Sequence, residues 1–435
     1  MDFIFFKDAP QNHLNILFLH QIVPIMQPQI LLFFILGILI FDFILERILN
    51  FLNMKAMKPE LPKSLGEIYN EEKYRKSQEY TRENARLGLI SSSISFGIMF
   101  ALLFSGSFGA LDTWIKSQFD SLFLQTAAFF GIIGIASEII GIPFSLYNHF
   151  VIEEKYGFNK MTIGTWLMDK IKGYVLGGLI GGGILWIFIW IATEYQNEFW
   201  WMFWVAMIAF MFLANVLYVP LILPLFNKLK PLEKEELKVA IENYAQKVGF
   251  PGTKISVMDG SKRSTKANAF FSGFGKTKRV VLFDTLVNEY PASALVAVLA
   301  HEVGHYKKGH ILSGFGASIL QTGVMLFLLS LVLFSPEMSF ALGGKDTSIA
   351  LNLMAFGMLF SPLSLLIGTG MNLLSRKNEY EADEFARTTS DGNGLADALI
   401  KLHADSLSNL TPHPAYVFFH YSHPTLLQKL ERLRK

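Results

Sequence analysis

"VLAHEVGHYKKGH", residues 298–310, sets two histidines four apart with a glutamate directly after the first, at the end of an apolar run. On a helix, residues i and i+4 share a face, so His301 and His305 both aim an imidazole at one point, where zinc takes each nitrogen at about 2.0–2.1 Å. Glu302 lies one step around the helix, able to reach a water at that point without being a ligand. The sequence contains no cysteine. Disulfides, thiol nucleophiles and thiolate-held zinc are therefore excluded, and any metal takes histidine and carboxylate ligands.

A catalytic zinc needs a third protein ligand and an open fourth position. His310 is the nearest candidate, but the metzincin spacing would put a histidine at Ile311 and a glycine at Lys308, and both fail. The alternative is a distant acid, and "NEYEADEFA" at 378–386 supplies one on an amphipathic helical stretch. Glu379 and Asp383 share a face there, Ala382 and Ala386 are small enough for close approach, and Glu381 points elsewhere. Glu379 then serves as ligand and Asp383 as acceptor for a histidine N–H, since ligating imidazoles are oriented by carboxylates. The plain alternative is an exposed acidic face.

The rest of the chain is oily: of 435 residues, 51% are apolar and 17% charged, which places it in a membrane. A net charge of +2 gives no basic excess for neutralising phosphates and argues against nucleic acid. The N-terminus lacks the ordered features of a removable signal peptide, so the first span is expected to act as its own signal. Seven windows are long and apolar enough to cross, near 29–51, 88–106, 124–147, 173–193, 199–225, 311–334 and 349–374, whereas 12–25 is too short. Eight lysines and arginines fall in 52–87 and four in 147–172, against one or none in the alternate loops. That bias puts the N-terminus outside and the stretches 227–310 and 375–435, with "HEVGH", in the cytosol. Charges within spans are costly, about 2.5–3.5 kcal/mol each. Glu46 and Arg47 are near a helix end and either snorkel or take a buried role, whereas Asp42 and Glu138 are predicted to face the bundle interior or a wet cavity.

After the fifth span, "PLEKEELKVAIENYAQKVGF" reads as an amphipathic helix begun by a proline and ended by a glycine. "KISVMD", "NAFFSGF" and "KRVVLFD" read as a small antiparallel sheet, and Pro291 begins the helix that carries "HEVGH". Two domains follow: a membrane domain over 28–226 with five spans, and a zinc peptidase domain over 227–433 interrupted by the spans 311–334 and 349–374.

"HEVGH", "EYEAD", "PFSLYNHFVIEEKYGFNKMT" at 143–162, "ANAFFSGFGKTKRVVLFDTL" at 267–286 and "HYSHPTLLQKLERL" near the end, in this order, resemble the type I CAAX prenyl proteases, integral-membrane zinc endopeptidases. The resemblance covers about residues 28–433. It implies a mainly α, polytopic fold with seven helices around a water-filled chamber and a gluzincin-like peptidase domain bearing a small β-sheet. It also implies one zinc per chain with Glu379 as third ligand, and Asn268 and His423 holding the substrate backbone and polarising the scissile carbonyl; "NAFF" is expected to be an edge strand that pairs with an extended substrate. The family pattern has arginine six residues after His423; here Lys429 stands in that place, a point charge where a planar fork would grip a substrate carboxylate twice. Implied partners are a lipid bilayer and a peptide or protein substrate, prenylated in eukaryotic members. The membrane is then the endoplasmic reticulum, or the inner membrane in a bacterium, where substrates would be other membrane-associated chains. Tyr306 reads as packing, and His310, His403, His413 and His420 as histidines without nameable partners. The segment "EEKYGFNK" reads as a structural turn. From another class, the rival reading is a polytopic transporter or channel with a structural zinc.

Overall fold

The computed structural model describes residues 26–434 apart from 59, 63–64, 66–68, 251–253 and 274–278. The stretch 12–25 lies outside the described residues. Five long helices come first: α1 (Pro28–Lys55), α2 (Glu71–Phe104), then, after a short α3 (Ser107–Lys116), α4 (Leu122–Tyr147), α5 (Ile163–Tyr195) and α6 (Phe199–Leu217). These five, unlike α3, are long and apolar enough to span a bilayer. Helices packed into a solid bundle bury an inward stripe, yet the most apolar stretches of α2, α4 and α6 are each only 6% buried. The spans meet through two local apolar clusters, Leu31 and Ile35 of α1 with Leu103 of α2 and Phe129 of α4, and Phe188 of α5 with Phe199 and Phe203 of α6, and leave most of their apolar surface open. Asp42 accepts a hydrogen bond from Ser361 at 2.5 Å and Glu138 from Lys170 at 2.7 Å, so both in-span acids are answered within the protein.

Past the spans comes a four-stranded sheet with α7 (Glu235–Lys247) inserted: β1 (Leu229–Pro231), β2 (Lys254–Met258), β3 (Ala269–Ser272) and β4 (Arg279–Phe283), ordered β1-β2-β4-β3. The expectation of an antiparallel sheet is corrected here, because β2 and β4 pair in parallel, Ile255 opposite Val280. The chain makes β3 before it returns along β4, so β3 is left on the edge and β4 enters the middle beside β2. The run Val280, Val281, Leu282 is buried on both faces, as a central strand requires. Pro231 likewise ends β1 instead of opening the helix, which starts at Glu235.

Helix α8 (Ala292–Lys307) carries "HEVGH" and follows Pro291 directly. Its Leu295, Leu299, Ala300 and Val303 enter one core with Leu237, Ile241 and Tyr244 of α7 and with Val280 and Leu282 of β4. Gly309, at φ +73, turns the chain into the sixth span, α9 (His310–Ser330). The seventh predicted span is broken: α10 (Ile349–Leu359) and α11 (Ser361–Thr389) meet at 51°. Pro362 explains the break, since it lacks an N–H and disfavours helical geometry in the residue before it. Past its apolar stretch α11 simply continues, so a single 29-residue rod joins the candidate span to "EYEAD". The chain closes with α12 (Gly392–Asp405), α13 (Pro414–His420) and α14 (Leu426–Leu433).

Two close approaches matter. A Cβ on Gly304 would lie 2.9 Å from Ala382 Cα, so α8 and α11 touch backbone to backbone where the ligands sit. At the far end of α9 the backbone of Gly109 in α3 meets that of Gly343, leaving no space for a side chain.

"EEKYGFNK" is a clasp. A π-helical turn, Asn148–Glu153, extends α4, and beyond Gly157 (φ +79) Lys160 N donates to Arg263 O at 3.0 Å while Thr265 N donates to Phe158 O at 3.1 Å. Lys266 then donates to Glu153 at 3.0 Å and to the Tyr80 hydroxyl at 2.9 Å, over the ring of Phe158, and Tyr80 in turn donates to Glu153. Arg263 forks onto Asp169 of α5 at 2.7 and 2.8 Å. The sheet is thereby tied to α2, α4 and α5.

Candidate active site

The contact of α8 with α11 brings together what lies far apart in sequence. His301 Nε2 and His305 Nε2 are 3.2 Å apart, His305 Nε2 is 3.2 Å from Glu379 Oε1, and His301 Nε2 is 3.4 Å from Glu379 Oε2. One ligand atom from each residue lies within 4.8 Å of the others. Ring nitrogens and carboxylate oxygens converging in this way suit a divalent cation, and the N/O donor set, with no thiolate, fits zinc. Asp383 is buried and its Oδ1 lies 2.8 Å from His301 Nδ1, the far side of that imidazole, which leaves Nε2 for the shared point.

Glu379 is buried, which alone would raise its pKa, but hydrogen bonds from His301 and His305 and the charge of Lys429 hold the carboxyl far below the usual carboxylate range. Burial pulls His301 down, yet Asp383 and Glu379 outweigh it and set the imidazole at about 9 in the metal-free protein. Among the described residues Glu302 has no such hydrogen-bond partner, and burial pushes its carboxyl up. Two glutamates within one site are thus driven in opposite directions. Glu302 also faces a cavity of about 410 Å³ lined by His305, by Ala269 and Phe270 of the edge strand β3, and by Met371 and Asn378 of α11. Asn268 is exposed at the head of that strand and accepts from Ala269 N through its side chain at 2.8 Å.

His423 joins the cluster from the loop before α14: its Nε2 is 3.2 Å from Glu379 Oε1, and the side chain is 64% exposed, so the ring borders both the ligand and open space. The Lys429 side chain is buried and its ammonium donates to Glu379 Oε2 at 2.6 Å and lies 3.4 Å from Asp383 Oδ1, so the charge is engaged by two carboxylates within the site. Burial lowers its pKa, but the two carboxylates more than offset this.

Histidines read as lacking partners have them. His310 is buried, with Nδ1 3.1 Å from His305 Nδ1 and Nε2 3.1 Å from Glu381 Oε2. A line from Glu381 through His310 to His305 therefore fixes the second imidazole as Asp383 fixes the first. Glu381 does point away from the ligand point, but toward this work. The only sequence signal was a histidine just after the glycine that turns α8 into α9. His403 bonds Leu399 O, His413 caps α13, and His420 lies 3.3 Å from Glu46. Tyr306 packs edge-on against Phe250, as read.

Residues 50–228 match the family model for the CAAX prenyl protease N-terminal region with five membrane helices, and residues 231–435 match Peptidase family M48. The chain is 35% identical over 405 residues to CAAX prenyl protease 1 of Saccharomyces cerevisiae, covering 87% of this chain and 89% of that one. It is 32% identical over 426 residues to the Homo sapiens CAAX prenyl protease 1 homolog, covering 86% and 88%. The crystal structure of S. mikatae Ste24p superposes with a TM-score of 0.88 at 34% identity, covering 93% of this chain and 99% of that one. Fold and site together define a polytopic membrane metalloprotease. The chain belongs to the CAAX prenyl protease 1 family within the M48 peptidases, and the transporter or channel reading gives way to that membership.

Proposed function

We propose that this protease holds one zinc through His301, His305 and Glu379 and removes the C-terminal residues that follow a prenylated cysteine, with its site facing the cytosol. The observation that carries the reading is the convergence of those three side chains beside a cavity walled by an edge strand. A zinc ion held there supplies polarisation of water and of the scissile carbonyl. Glu302, with a carboxyl raised by burial, accepts the proton of the attacking water and returns it to the leaving amine nitrogen. His423 donates to the oxygen on which negative charge develops, and its exposed edge leaves room for that oxygen. The open side of β3 pairs with an extended substrate, Asn268 fixing the register. Asp383 and Lys429 hold His301 and Glu379 in place.

Relatives named as CAAX prenyl proteases support the substrate class. The lysine and arginine bias of the loops supports the cytosolic orientation, in the endoplasmic reticulum of a eukaryote or the inner membrane of a bacterium. The membrane domain is taken as 28–226 and the peptidase domain as 227–433. The test is purified full-length protein given a farnesylated CAAX peptide and its unmodified twin, each also with Glu302→Gln. Cleavage of the farnesylated peptide alone, abolished by the substitution, supports the assignment. Equal cleavage of both removes prenyl specificity, and cleavage of neither by zinc-loaded protein sinks the reading.

A further inference from the structure

A second cavity, about 1150 Å³, lies away from the metal cluster, between α1, α2 and the loop after α12. Three arginines line it: Arg47 of α1 and Arg82 and Arg86, one helical turn apart on α2. None of the three makes an ion pair among the described residues. Arg47 lies 5.1 Å from the centre of the Phe43 ring, and its Nε is buried without a hydrogen-bond acceptor. The acid in the same wall, Glu46, is already engaged, by Asn50 at 2.6 Å and by His420 at 3.3 Å. The cavity therefore carries an unanswered positive charge.

Apolar side chains line it on the same two helices, one turn further along from Arg47 and Arg86, among polar ones such as Asn50 and Asn84. Phe51 is 66% and Leu89 48% exposed, on the faces of two candidate spans. Guanidinium groups at the end of a pair of membrane helices, with greasy side chains beside them, match a molecule that is anionic at one end and hydrocarbon at the other. Arginine grips phosphate through paired N–H groups, and basic pockets between spans at the cytosolic side take anionic headgroups. We infer that this cavity between α1 and α2 binds the phosphate headgroup of an anionic glycerophospholipid, with Arg47, Arg82 and Arg86 as its ligands and the acyl chains running along Phe51 and Leu89.

The test is native mass spectrometry of delipidated full-length protein in detergent, titrated with phosphatidylserine, phosphatidylcholine or soluble glycerophosphate. Phosphatidylserine should bind the wild type at least about tenfold more tightly than phosphatidylcholine does, and R82Q/R86Q should lose that preference. R75Q/K76Q, which removes neighbouring cytosolic charges already paired with Glu79 and Glu72, should retain it. Equal loss in the two double variants would mean diffuse attraction and would overturn the site. Binding of glycerophosphate as tight as that of the lipid would overturn the lipid as occupant, and no preference for the anionic lipid in the wild type would overturn the proposal outright. The melting temperature in lipid-free detergent checks folding: a variant that has lost its preference while melting with the wild type supports the proposal.

Discussion

Two polar clusters hold this protein's halves in register, and they teach different things. The metal cluster on α8 and α11 joins His301 and His305 to Glu379 and Asp383, while the clasp joins Glu153 to Tyr80 and Lys266. Each unites segments distant in sequence and each balances acids against bases. In the first, the side chains converge so that a cation would satisfy them. In the second, lysine, tyrosine and glutamate already satisfy one another. Chemistry is open in the one and closed in the other.

Substitutions should separate the two. Glu379→Gln is expected to have the largest effect, removing both bound zinc, read by elemental analysis, and all measurable hydrolysis; a variant that keeps both would dissolve the distinction. Next, Glu302→Gln should keep its zinc and lose about 10²–10⁴-fold in turnover, the span of a general base, and retention of turnover would take Glu302 out of the proton's path. His310→Asn should weaken zinc affinity by about 10–100-fold, as losing a partner of a ligating imidazole does, measured by competition with a chromophoric chelator. Unchanged affinity would show that the line from Glu381 does no orienting. The smallest effect belongs to the clasp: Lys266→Gln should cost about 1–2 kcal/mol of stability with zinc content unchanged, followed by thermal melts with metal analysis on the same sample. Loss of zinc there would mean that the two regions are one unit.

The same contrast explains what the sequence disclosed. "HEVGH" and "EYEAD" are legible because helical spacing alone puts their side chains on one face, and Gly304 with Ala382 marks where two backbones must touch. The spans are legible because hydrocarbon allows only apolar runs of sufficient length. The clasp was not legible, since Glu153 meets Lys266 across 113 positions and no periodicity reports such a pairing. His310 was passed over because its partner, Glu381, lies 71 residues on. The pairing of Lys429 with Glu379 and Asp383 was not legible because a lone charge on an amphipathic helix gives no hint that it turns inward. The sheet's parallel pair was missed because three short runs in succession fit hairpins as readily as a central strand with a late edge.

The unbroken rod from Ser361 to Thr389 has one more consequence. Glu379 stands only five residues beyond the end of the predicted span at 374, about 7.5 Å of helical rise. On the proposed function, peptide bonds would be severed within a short tether's reach of the lipid surface, at a height set by a rigid strut and not by a loop. A chain whose greasy anchor remains in the bilayer presents its last few residues at that level, whereas a freely diffusing one must find it by chance. Proximity to the anchor thus becomes a measure of length, and lengthening or shortening the strut by a turn should move the cut relative to the lipid rather than abolish it.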